Sequence, residues 1–248
     1  MPVALSGVEI WLVDLARSGV ALAAAEDAVP RLSDDERRRA SELSRNGDDW
    51  RLIRVALRLL LERAVGPKLR RVPFRISAHG KPALPWNTGI AFSVSHSGRR
   101  GLIAISSSEV GVDIEHERRV HFPQDRQQAM LAAARALVPE LSDDDARRLT
   151  NLHAWDRLEA WGKARGTGVG ALLHDLGIRG SDRKASAGTM DIGKRATRLL
   201  RQEGFGLQDL ALPLPLHGAV ATRLGSPLLP VRGLPADLAS LEALAPPA

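Results

Sequence analysis

Cysteine is absent from this 248-residue chain, which removes disulfides, thiolate zinc sites and cysteine nucleophiles from consideration. Tyrosine is absent too, and the large aromatics number only five Trp and four Phe. With no zinc-finger, RRM or homeodomain pattern beside them, that scarcity argues against a nucleic-acid binder, and no nucleic-acid partner is expected. No apolar run approaches the roughly 18 to 20 residues that cross a bilayer, and the stretch from Met1 to Leu15 lacks the basic start and cleavage site of a signal peptide. A cytoplasmic protein with no membrane partner is the expectation. The seven histidines are scattered without an H-E-x-x-H spacing, so any metal must be held mainly by oxygen. Lysine is scarce as well: only Lys68, Lys81, Lys163, Lys184 and Lys194 stand among 35 basic residues.

What is present is 44% hydrophobic content, enough for one large packed domain or two small ones. The net charge of +6 implies an anionic partner: nucleic acid, a phosphorylated small molecule, a membrane surface or an acidic protein. The arginine excess suits phosphate, which the guanidinium forks, and equally fits a bias in base composition.

The segment 8–14 reads as a strand. Ser33 opens a helix, because S-D-D-E sets a capping serine three residues before Glu36. Helical spacing resumes near Gly47 and stops at Gly66-Pro67. Strands are expected over 72–77, 90–97, 102–106 and 110–115, with a turn at His79-Gly80-Lys81-Pro82. The Ser-Ser-Glu link before Val110 predicts a hairpin between the last two strands. Helices follow over 123–138 and from Ser142 to Lys163, ended by the glycine run 166–170. Beyond Gly170 the pattern reads as strands and loops, with 179–194 an exposed loop and the end a partly ordered tail. Strand, helices and strands thus occur twice, dividing near Asp113 to Val120. The expected organisation is α+β, with an N-terminal α+β subdomain over 1–116, a C-terminal one over 117–235 and a tail over 236–248.

Three constellations carry chemistry. Along the strand 110–115, Val110, Val112 and Ile114 face one way while Asp113 and Glu115 face the other, roughly 7 Å apart at their α-carbons. Two such carboxylates suit Mg²⁺, which takes oxygen ligands and shares them with substrate phosphates. The same pattern also describes a solvated sheet edge. On the following helix, Trp155, Glu159 and Lys163 stack at spacings of four, which reads equally as a surface ion pair beside a core aromatic. In Phe92-Ser-Val-Ser-His-Ser-Gly98, Ser95, His96 and backbone amides are candidates for holding a phosphate, although His96 also fits a structural hydrogen-bonding role. A serine next to a histidine in sequence is no hydrolase triad, and the nucleophile elbow is missing. Neither a P-loop nor a dinucleotide loop occurs: Gly166-Thr-Gly-Val-Gly170 follows a helix rather than a strand.

Taken together, Val110-Gly-Val-Asp-Ile-Glu115 and Trp155-Asp-Arg-Leu-Glu-Ala-Trp-Gly-Lys163, 42 residues on from Asp113 to Trp155, resemble the signature (V/I)-G-(V/I)-D-x-E and W-x-x-K-E-(A/S)-x-x-K of the 4′-phosphopantetheinyl transferases, in their larger, surfactin-synthetase-activating type. His79-Gly-Lys-Pro82, Phe92 to Gly98 and, less specifically, Trp50-Arg-Leu52 fit further blocks in the expected order, so that the match spans about residues 31 to 170. The resemblance implies two similar α+β halves related by a pseudo-twofold, with coenzyme A in the cleft between them and no need for a second chain, hence a monomer. It implies Asp113, Glu115 and Glu159 as magnesium ligands, with Glu159 also the proton acceptor and Lys163 a catalytic cation at the pyrophosphate. Arg51, Lys81, Ser95 and His96 match positions around the nucleotide and its 3′-phosphate. The implied reaction moves the phosphopantetheine arm of coenzyme A to a serine of an acidic acyl- or peptidyl-carrier protein, in fatty-acid, polyketide or nonribosomal-peptide synthesis, releasing 3′,5′-ADP.

One departure stands out: Leu158 occupies the place of the family lysine before the helix glutamate. It leaves open a coenzyme A-binding member with weak or no transfer. Arg157 and Lys163 are the cations expected to compensate, and Leu158→Lys is expected to raise turnover or affinity for coenzyme A. A carboxylate beside a metal is also expected to have a depressed pKa, making Glu159 a weak base.

Overall fold

The computed structural model describes residues 5–117, 122–138, 149–178 and 189–244, and the chain divides into two compact units. The first comprises Met1–Ser108 with Pro227–Ala248; the second is Glu109–Ser226. Helices and strands mix in both, so the protein is α+β.

In the first unit, β1 (Glu9–Asp14) lies between β5 (Arg100–Ser106) and the short β9 (Arg232–Gly233), with β4 (Ala91–Ser97) beyond β5. The helix α1 (Leu15–Ala28) follows β1 directly because Asp14 accepts a hydrogen bond from the Ala16 amide and so caps it. Ser33 and Glu36 form the capping box that opens α2 (Asp34–Glu42), as their spacing predicts. The third helix, α3 (Gly47–Val65), buries Leu52, Ile53, Ala56, Leu57, Leu60 and Leu61 among others. It reaches β5 closely because Gly101 is bare: a β-carbon there would come 2.4 Å from Ile53 Cδ1. Between α3 and β4 run the two-residue strands β2 (Arg75–Ile76) and β3 (Pro82–Ala83).

The carboxyl end is more ordered than a tail. Arg232 and Gly233 extend β1 in parallel, and α8 (Leu238–Leu244) buries Leu241 against the first unit's core. Its Leu-rich spacing was hidden by the Pro and Ala around it.

The second unit is a three-stranded antiparallel sheet in the order β6 (Val110–His116), β8 (Leu216–Arg223), β7 (Phe205–Asp209). Four helices accompany it: α4 (Gln124–Leu137), α5 (Asn151–Arg165), α6 (Gly168–Asp175) and α7 (Thr189–Gln202). Met130, Leu158, Trp161, Leu172, Ile192 and Phe205 pack in its core.

Two expectations fail here. No hairpin joins 102–106 to 110–115: β5 is flanked by β4 and β1, whereas β6 pairs with β8, setting Asp113 opposite Ala219. The short link is the joint between units, and long-range partners outcompete the local one. Nor is the region after Gly170 all strand and loop, since α6 begins at Gly168 within the glycine run and α7 takes in residues 189–194. The expected cap at Ser142 and the stretch 179–188 lie outside the described residues.

Candidate functional site

The sequence places Gly111, Asp113 and Glu115 on one face of β6, and that face meets α5. The contact is as close as a strand and a helix can make. A β-carbon on Gly111 would lie 2.0 Å from Ala160 O and 2.3 Å from Ala164 N, so only glycine lets the backbone of α5 rest there. On the other face Val110, Val112 and Ile114 are buried, which fixes the strand in register.

Thr150 caps α5 with its side chain and His153 returns the bond, while Gly166 ends the helix in the left-handed region at φ 77°. Between these stops the residues Asp156, Glu159 and Lys163 fall on one stripe at i, i+3 and i+7. Lys163 Nζ donates to Asp113 Oδ1 at 2.6 Å. Asp113 is buried, Glu115 and Glu159 are half-buried, and Lys163 keeps a partly exposed side chain. The bland reading of Glu159 and Lys163 as a surface pair therefore gives way to a lysine turned onto the strand carboxylate.

Burial, reinforced by Asp113 and Glu115 and opposed by Lys163, holds the Glu159 carboxyl above the usual range. Asp156, which the signature leaves unspecified, is more strongly affected. It is 1% exposed, and burial followed by the charges of Asp113, Glu115 and Asp209 pushes its carboxyl up to about 9, with Lys163 pulling the other way.

Leu158 and Arg157 point elsewhere. Leu158 is fully buried in the apolar core of the second unit, so a lysine there would have its ammonium among Met130, Trp161 and their neighbours. The expected gain from Leu158→Lys has no geometric basis. Arg157 is also buried, forked onto Asp209 and donating to Ala134 O at 2.8 Å, which removes it as the compensating cation. Lys163 remains.

The oxygen-only donor set fits Mg²⁺ chemically: the strand and the helix stripe supply carboxylates, and among the described residues both oxygens of Asp156 are buried without a hydrogen-bond partner. Among the described residues no three His, Cys, Asp or Glu side chains close into a ready cage.

The other candidates lie in the first unit. Arg51 pairs with Asp48, one turn before it on α3, at 2.9 Å. Lys81 closes the turn after β2, its amide donating to Ser77 Oγ and its carbonyl accepting from Ser77 N, with Gly80 at φ 83°. Ser95 and His96 are successive residues of β4 and so face opposite sides of the sheet, Ser95 buried and His96 exposed. Sequence reasoning missed a cavity of about 200 Å³ lined by Arg39, Trp50, Arg54, Phe74, Gly80 and Pro82. Arg54 lies 4.8 Å over the Trp50 ring, and burial lowers its pKa. The four-residue step from Trp50 to Arg54 was the available signal.

Fold and site together define a mixed α+β protein whose second unit carries a carboxylate and lysine centre on a strand and the helix packed over it. Three curated relatives show what it resembles. The chain is 31% identical over 157 residues to a Synechocystis protein provisionally named a 4′-phosphopantetheinyl transferase, covering 58% of this chain and 61% of that one. It is 27% identical over 134 residues to a 4′-phosphopantetheinyl transferase of Bacillus subtilis, with 52% and 56% covered. With the 4′-phosphopantetheinyl transferase Sfp of Bacillus subtilis strain 168 it shares 25% over 125 residues, 50% and 55% of the two chains. No family model matches the chain. The chain spans 55% to 61% of these relatives' own length, and over that span it is similar to proteins named 4′-phosphopantetheinyl transferases.

Among the described residues no helix is long and apolar enough to cross a membrane.

Proposed function

We propose that this chain is a Mg²⁺-dependent 4′-phosphopantetheinyl transferase that moves the phosphopantetheine arm of coenzyme A to a carrier-protein serine. The observation that carries the reading is Lys163 Nζ donating to Asp113 Oδ1, with Glu159 one turn before Lys163 on the same stripe of α5.

In this reading Asp113, Glu115 and Glu159 hold the cation. Bound there, Mg²⁺ supplies Lewis-acid neutralisation of the diphosphate and its leaving group. Lys163, the one cation on the stripe, takes a diphosphate oxygen as charge builds. Glu159 receives the proton of the attacking serine hydroxyl. The serine oxygen forms a bond to phosphorus, the diphosphate P–O bond breaks, and 3′,5′-ADP leaves. Arg51, Lys81, Ser95 and His96 contact the nucleotide end, and the cavity under Trp50 and Arg54 offers an aromatic and a cationic surface suited to a purine bearing a phosphate. The reading includes the finer architecture, two similar halves about a pseudo-twofold with coenzyme A between them in a monomer. The net charge of +6 steers an acidic carrier toward the enzyme.

Incubating an apo carrier protein with the chain, coenzyme A and Mg²⁺ tests the proposal by mass spectrometry. An added phosphopantetheine supports it, and binding of coenzyme A without modification supports the alternative of a binding-only member.

A further inference from the structure

We infer that Asp156 is a fourth carboxylate ligand of the cation site, a position that the W-x-x-K-E pattern leaves open. The argument starts from helix geometry. Asp156 precedes Glu159 by three residues and Lys163 by seven, so the stripe that carries the two matched residues carries it too.

Its surroundings then limit what it does. The side chain is 1% exposed, and among the described residues neither carboxylate oxygen has a hydrogen-bond donor. A structural aspartate at such depth ordinarily caps an amide or pairs with a base, because an ionised carboxylate stripped of water is costly otherwise. Asp156 does neither. The charges that bear on it are Asp113, Glu115 and Asp209, all repulsive, and Lys163. Arg157, next in sequence, forks onto Asp209 instead. Lys163 donates to Asp113. The nearest groups thus leave the two buried Asp156 oxygens beside carboxylates of like charge, and a divalent cation is the partner that satisfies them.

Adding a carboxylate to a Mg²⁺ site raises its charge count, and affinity for hard divalent ions grows with that count. The inference deepens the proposed function in that it takes Asp113, Glu115 and Glu159 as cation ligands, yet it requires no group transfer.

The test is titration of the whole chain with Mn²⁺ alone, followed by loss of the free-ion electron paramagnetic resonance signal, for wild type, Asp156→Asn and Asp156→Ser. The expected result is one site in the wild type and binding at least tenfold weaker in both variants, whose metal-free melting temperatures stay equal to or above that of the wild type. Equal Mn²⁺ affinity in wild type and Asp156→Asn overturns the inference, as does a wild type that binds none. A lower metal-free melting temperature in both variants also overturns it, because the side chain is then structural. If carriers remain unmodified while the Asp156 dependence of Mn²⁺ binding holds, the transferase reading fails and this one stands. If carriers are modified and Asp156→Asn binds Mn²⁺ normally, this one alone fails.

Discussion

Gly111 and Ala160 touch through their backbones: a β-carbon on the glycine would stand 2.0 Å from the alanine carbonyl oxygen. That contact explains why a glycine precedes the strand aspartate, since any side chain would lift α5 off β6 and draw Lys163 away from Asp113. Gly111→Ala is therefore expected to cost about 1–3 kcal/mol or more of stability, because the clash is with backbone rather than a flexible side chain. It is also expected to abolish carrier modification. Urea unfolding measures the first and the carrier mass shift the second; a variant as stable and active as wild type refutes the packing argument.

Lys163→Met removes the ammonium that donates to Asp113 Oδ1 and takes one positive charge from beside the carboxylates. The pair is partly exposed, so the stability loss is expected to be about 1–2 kcal/mol, below that of a fully buried pair. Transfer is expected to fall at least tenfold in kcat, with Lys163→Arg recovering stability better than rate because the guanidinium fork differs in shape. Unfolding curves and steady-state kinetics on the two variants decide it.

Leu158→Lys tests the position where the chain departs from the family pattern. An ammonium placed among Met130, Trp161 and Ala164 has no acceptor, so a loss of about 3 kcal/mol or more is expected, with no gain in turnover. A variant of wild-type stability that works faster shows that the helix turns differently from the arrangement described.

Acid sensitivity is expected from His153. Burial, then the neighbouring His217, lower its pKa below the ordinary 6.5; Arg157 adds to the shift, whereas Asp209 and Glu117 oppose it. The rings of His153 and His217 stand 4.1 Å apart. Because the folded value lies below the unfolded one, this contribution to stability is complete above about pH 6.5 and is lost as the pH falls through the folded value. Melting temperatures recorded from pH 7.5 to 5 are expected to drop over that interval, and His153→Gln, which can still complete the cap with Thr150, is expected to flatten the drop. An identical pH profile in the variant contradicts the assignment.

The parts of the site written in local patterns were legible in the sequence. Strand alternation put Asp113 and Glu115 on one face, and helical spacing put Glu159 and Lys163 on another. Asp156 was not, because its position carries no fixed residue in the pattern and only burial reveals its oxygens as unsatisfied. Leu158 misled for the converse reason: comparison with a pattern says what is missing, while the direction of the side chain says whether a replacement has room. The mistaken hairpin at 107–109 and the unnoticed α7 share a cause. Residues next to each other signal a turn, but the partners of β5 and β6 lie far away in the chain, and Ile192, Ala196 and Leu200 were masked by the polar residues between them. The apolar periodicity was there to be counted.

The most direct test of the account is the Mg²⁺ dependence of phosphopantetheine transfer, with apo carrier protein and coenzyme A held constant, for wild type and Asp113→Asn. The account predicts carrier that gains the arm only when Mg²⁺ is supplied, and no gain with the variant, which remains folded. Transfer that continues in a chelator, or that Asp113→Asn leaves untouched, contradicts it.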